Sequence, residues 1–200
     1  MKSSHISVIH FDTIPSETFI NFSNLIQHEG LDYKCESTPN PGAYACIEWV
    51  LPTFVVVFIG KSYFDGFLKE AGKDHYQLLK KGLITLSDRF VGTNAPSTRL
   101  IFTPGKAIGD QPKYSLVYSV YAELGGGFSA KLLLQNDFSA QDCNAAQSCF
   151  LDFIQGIHQD HINPSFLTSL ANTRLVGKTL FLAYNSELRQ LEVVDPLPAK

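Results

Sequence analysis

The run Phe54-Val-Val-Val-Phe-Ile59 constrains this chain more than any other stretch. Consecutive aromatic and β-branched residues with no polar alternation suit a central strand covered on both faces. The nearly apolar stretch around it, Trp49 to Ile59, contains Pro52 and Thr53 and is about half the length of a bilayer-spanning helix. Directly after the strand, Ser62 and Asp65 stand at capping-box spacing, with Asp in the usual Glu position. Phe64, Phe67, Leu68, Ala71, His75, Leu78 and Leu79 then recur every three or four residues, which predicts a helix with one apolar face. Asp65 with Lys69, and Glu70 with Lys73, are spaced to pair on its outer side.

The segments before this unit continue the alternation. His5 to Phe11 reads as a strand, and Thr13, Pro15 and Ser16 open a helix whose apolar residues Phe19, Phe22, Leu25 and Ile26 lead to a stop at Gly30. Leu31 to Glu36 reads as a second strand, Pro39-Asn40-Pro41-Gly42 as a loop, and Ala43 to Val50 as a short helix. Strand and helix in alternation predict a mostly parallel sheet with helices against it. Beyond the polar stretch Gly92 to Thr98 the pattern changes. Arg99 to Thr103, Tyr114 to Leu124 and Phe128 to Leu134 are strand-like, the last two joined by Gly125-Gly126-Gly127. Ser139 with Asp142 repeats the capping device, and Cys143, Ala146, Phe150, Phe153, Ile154, Ile157 and His161 trace a helical stripe that stops at Asn163-Pro164. Leu180 to Ala183 and Leu191 to Val194 suit a hairpin around Asn185-Ser186. The expected fold is α/β: a mostly parallel half over residues 1–92 and an antiparallel α+β half over 98–196, able to share one core.

Composition narrows the function classes. The balance of 16 Lys and Arg against 19 Asp and Glu lacks the basic excess that phosphate backbones attract, so nucleic acid is not expected as a partner. Met1 to His5 lacks the long apolar stretch and cleavage site of a signal peptide, and no membrane span is expected. Cys35, Cys46, Cys143 and Cys149 form no dense disulfide framework, which predicts free thiols in the cytoplasm.

Residues with chemical potential each have a plain structural explanation. His158 and His161 are too few for a tetrahedral metal site, so no metal is expected. Gly60-Lys61-Ser62 ends like a phosphate-binding loop, but Val55 stands where that motif needs its first glycine. Glu70, Asp74 and His75 lie close on one helix; the carboxylates suit a solvated face and His75 a hydrogen-bonded core position. No nucleophile turn is recognisable.

The order of elements over residues 5–90, with Pro41-Gly42 after the second strand and Tyr63 and Glu70 after the third, resembles the front half of a TIR domain, a flavodoxin-like fold. The resemblance implies that Glu70 corresponds to the NAD-cleaving glutamate, with Tyr63 and Ser62 beside the substrate and NAD as substrate rather than cofactor. A non-catalytic member would instead assemble with like domains or a partner through loops such as Pro39, Asn40, Pro41 and Gly42. With no catalytic constellation above its structural explanation, the first expectation is a protein-interaction or regulatory role, of signalling or immunity type, with another protein or itself as partner. The alternative is NAD or nucleotide cleavage through Glu70.

Overall fold

The computed structural model describes residues 4–39, 53–91, 113–159 and 175–195. The elements in chain order are β1 (Ile6–Phe11), a 3₁₀ turn (Ser16–Phe19) running into α1 (Ile20–Ile26), β2 (Tyr33–Thr38) and β3 (Val55–Ile59). A π turn (Tyr63–Phe67) then leads into α2 (Leu68–Ser87), followed by β4 (Tyr118–Gly125), β5 (Phe128–Leu133), α3 (Ala140–His158), β6 (Thr179–Asn185) and β7 (Gln190–Val193). The expected elements at Ala43 to Val50 and Arg99 to Thr103, together with Cys46, His161 and Asn163-Pro164, lie outside the described residues.

The strands form one seven-stranded mixed sheet in the order β2-β1-β3-β4-β5-β6-β7. Pairing is parallel for β1/β2, β3/β4 and β5/β6, and antiparallel for β1/β3, β4/β5 and β6/β7. The expected division into a parallel first half and an antiparallel second half is therefore corrected in part: both pairings run through the whole sheet. Each parallel pair is bridged by a helix, the connection that parallel strands require, and the antiparallel β4/β5 and β6/β7 pairs are hairpins. Val55 pairs with Tyr118, so the sheet passes without a break from residues before the polar stretch to residues after it.

The three helices among the described residues cover one face. Alternate residues of the strands, including Ile6, Val8, Val57, Ile59, Val120, Leu132 and Leu182, pack with Phe22, Leu79, Leu83, Phe150 and Ile154 in one buried cluster. The helices approach closely where Gly82 meets α1: a Cβ there would stand 3.0 Å from the Phe22 ring. On the opposite face Leu133, Phe181, Ala183 and Tyr114 make a second, smaller cluster.

Local chemistry explains several boundaries. Gly126 and Gly127 hold φ of 62° and 77°, the paired left-handed conformation that lets a two-residue turn match strand twist. The Asn185 side-chain oxygen accepts from the Glu187 and Leu188 amides at 3.0 Å each and closes the second hairpin. The first turn of α3 forms the expected capping box: Ser139 Oγ accepts from the Asp142 amide at 3.1 Å, and Asp142 accepts from the Ser139 amide at 3.3 Å. Ser139→Ala is expected to lower stability by about 1 kcal/mol in urea unfolding; an unchanged midpoint would mean that α3 is held by packing alone. The matching pair at the front of α2 makes no such box, because Ser62 already has helical backbone angles and Asp65 is engaged elsewhere.

Candidate functional site

Tyr63 and His75 are brought together in the core, and Glu70 is exposed. Tyr63 is fully buried and its hydroxyl lies 3.0 Å from His75 Nδ1, while His75 Nε2 lies 2.7 Å from the Ile26 carbonyl. A carbonyl only accepts, so Nε2 carries the proton and Nδ1 accepts from Tyr63, which makes the ring a neutral link between α1 and α2. Burial pushes the His75 pKa down, against the Ile26 hydrogen bond and with the repulsion of His28. Phe67 stands edge-on to His75, with ring centroids 4.7 Å apart. Ser62 is half-buried, and Glu70 is exposed on the outer side of α2.

The two other motifs meet in one place, where the carboxyl ends of β3 and β4 adjoin the start of α2. The Lys61 amide donates to Glu123 Oε2 at 3.0 Å, so a carboxylate of the chain itself occupies the position that a phosphate takes in a nucleotide-binding loop. Lys61 Nζ pairs with Asp65 at 2.9 Å, and the expected Asp65–Lys69 pair is replaced by this one. His158, with a side chain 4% exposed, sets Nδ1 3.1 Å from Asp65. Its Nε2 lies 2.9 Å from the Glu123 carbonyl, and the ring stacks on Phe64 at 4.9 Å. Partial burial alone would raise the Asp65 pKa; hydrogen bonds and charge from Lys61 and His158 outweigh it and hold the carboxyl below its usual value. Both nitrogens of His158 are occupied, so the ring clamps the end of α3 to the π turn and to β4. His161 lies outside the described residues.

A third cluster has no counterpart in the sequence reading. Lys131 on β5 turns to the face opposite α1, α2 and α3 and is 3% exposed. Its Nζ donates to Thr53 Oγ1 at 3.1 Å and stands 5.2 Å from the centre of the Tyr121 ring, and Ser119 Oγ donates to Thr53 Oγ1 at 2.9 Å. Burial pushes the amine down to about 8. Such an amine is partly neutral near pH 7 and in principle nucleophilic, but here it is sealed from water. The signal available was a single lysine inside the apolar run Ala130 to Leu134.

The remaining exposed feature is a sheet edge. Among the described residues β2 and β7 are the two edge strands, and Lys34, Cys35, Glu36 and Ser37 of β2 are exposed. The Ile6 amide donates to the Asp32 carbonyl at 3.2 Å and the Asp12 amide to the Thr38 carbonyl at 2.9 Å, so the even-numbered residues of β2 face β1. In a parallel ladder the N–H and C=O of one residue point to the same side, so Tyr33, Cys35 and Ser37 direct both groups outward. Pro39, exposed, follows directly; Asn40, Pro41 and Gly42 lie outside the described residues.

No protein-family model matches the sequence, and no curated protein or solved structure matches it. Among the described residues no helix is long and apolar enough to cross a membrane, and no group of three or more His, Cys, Asp or Glu side chains is placed to hold a metal ion.

Proposed function

We propose that this protein is an interaction or regulatory domain that engages another polypeptide along the outer edge of β2. The observation that carries the reading is the outward row of backbone donors and acceptors at Tyr33, Cys35 and Ser37, on a strand exposed along most of its length. Such an edge takes up an added strand through main-chain hydrogen bonds, with alternate side chains supplying selectivity. The place agrees with the loop that the TIR resemblance assigns to assembly, since Pro39 continues directly from β2. The placement of Tyr63 in the core and Glu70 in solvent favours this reading over NAD cleavage, which needs the two beside one substrate.

Ser37→Pro tests the reading. Proline removes the outward N–H and leaves the ladder to β1 intact, a position where an edge strand tolerates it. The variant is expected to keep its circular dichroism spectrum and to lose the complexes that the parent protein forms in affinity capture from its own cells. Recovery of the same proteins in the same amounts by both would sink the idea.

A further inference from the structure

We infer that the edge of β2 receives a second copy of this chain, with its own β2 laid antiparallel and Cys35 opposite Cys35 of the second copy. This inference rests on the interaction reading above and names the partner.

Two constraints, taken together, favour this register over its neighbours. The first is hydrogen-bond parity. In an antiparallel pair, directly opposed residues that bond exchange both N–H···O=C bonds, and they alternate with opposed residues that do not. Because the outward groups belong to Tyr33, Cys35 and Ser37, a pairing partner must place its own outward residues against these. Centring the pair on Cys35 sets Cys35 against Cys35 and Tyr33 against Ser37, and every outward donor and acceptor finds a partner.

The second constraint is charge. With Cys35 at the centre, the non-bonded positions place Lys34 of each copy opposite Glu36 of the other, at the positions where cross-strand side chains come closest. The neighbouring registers that keep the hydrogen-bond parity fail on this count. Centred on residue 34, Lys34 faces Lys34 and Glu36 faces Asp32; centred on residue 36, Glu36 faces Glu36. Opposed like charges are destabilising, so both slips are disfavoured. Lys34 and Glu36 lie on the side opposite α1, α2 and α3, since Cys35 pairs with Val8, a residue of the core those helices cover. The resulting twofold axis is perpendicular to the sheet, which joins two seven-stranded sheets into one and keeps both helix layers on one side. Such an interface is isologous and closes at two copies.

Sedimentation velocity of the full chain across the micromolar range tests the proposal, with Lys34→Glu, Glu36→Lys and the double exchange run beside the parent. The parent is expected to form a dimer that dissociates on dilution, and the Cys35 amide to exchange more slowly with deuterium at high protein concentration. Each single exchange sets like charges opposite one another twice and is expected to weaken the dimer about tenfold or more, while the double exchange restores it to within about threefold. A parent that stays monomeric throughout would overturn the inference, as would single exchanges that leave the dimer unchanged. Tighter association after Lys34→Glu would also overturn it, because Lys34 would then be guarding the edge against pairing. A monomer defeats self-pairing alone; the broader interaction reading fails on the separate result that Ser37→Pro captures the same proteins as the parent.

Discussion

Lys131→Met is expected to raise stability at pH 7 by about 1 to 3 kcal/mol in urea unfolding. The amine titrates at about 8 in the folded protein against 10.5 for an unburied lysine, with burial as the cause. Between these values the unfolded chain binds more protons than the folded one, so stability rises with pH through that window. Above 10.5 both states are neutral and the cost disappears; below about 8 it is fully present and amounts to about 3 kcal/mol. Methionine keeps the length of the side chain against Tyr121, and the Ser119–Thr53 hydrogen bond does not involve the amine. The variant should therefore lose the rise in stability between pH 8 and 10.5 along with the cost at pH 7. If it were instead destabilised by more than about 1 kcal/mol, the amine's contacts would outweigh its desolvation, and the rise above pH 8 should be absent from the parent too.

His75→Leu is expected to act in the opposite direction, with a loss of about 2 to 4 kcal/mol. The ring donates to the Ile26 carbonyl and accepts from the Tyr63 hydroxyl in a site that is 1% exposed, so an apolar replacement leaves two buried polar groups without partners. Adding Tyr63→Phe removes one of these orphans and is expected to recover about 1 kcal/mol, which a double-mutant cycle measures as coupling. The pH dependence has a definite sign. Because burial lowers the folded pKa beneath the ordinary 6.5, the unfolded state binds the proton more readily, and His75 makes stability fall as pH drops below 6.5. The Leu variant should lose that part of the acid sensitivity. A cost below about 1 kcal/mol, or additive single changes, would show that Tyr63 and His75 are not a linked pair.

The two capping motifs show how far local chemistry can be read. Ser139 and Asp142 form their box with each other, and contiguous residues suffice. Ser62 and Asp65 have the same spacing, yet Asp65 turns to Lys61 and to His158, which approaches from the far end of α3. A charged group within reach outcompetes a neutral cap, and no local pattern reports that a residue ninety-three positions away will arrive. The candidate site divides in the same way: Tyr63 stood out as an aromatic, His75 as a core residue and Glu70 as part of a solvated face, whereas the hydrogen bond between Tyr63 and His75 required the helix phase around the π turn.

By itself the sequence determined the described strands and helices in outline and the sense of the adjacent hairpins. Period-two and helical apolar patterns, paired left-handed glycines and the Ser139 cap are interactions between residues close in the chain. Which strands become neighbours was decided only by tertiary structure. The antiparallel β1/β3 pair, the burial of Lys131 on the face opposite α1, α2 and α3 and the position of β2 at the edge of the described sheet all follow from that choice. The physical reason is that strand pairing is a non-local competition for hydrogen bonds and apolar area, in which every strand offers the same backbone groups. The charge pattern Lys34-Cys35-Glu36 was present in the sequence throughout, but it became a statement about recognition only when the sheet left that strand on the outside.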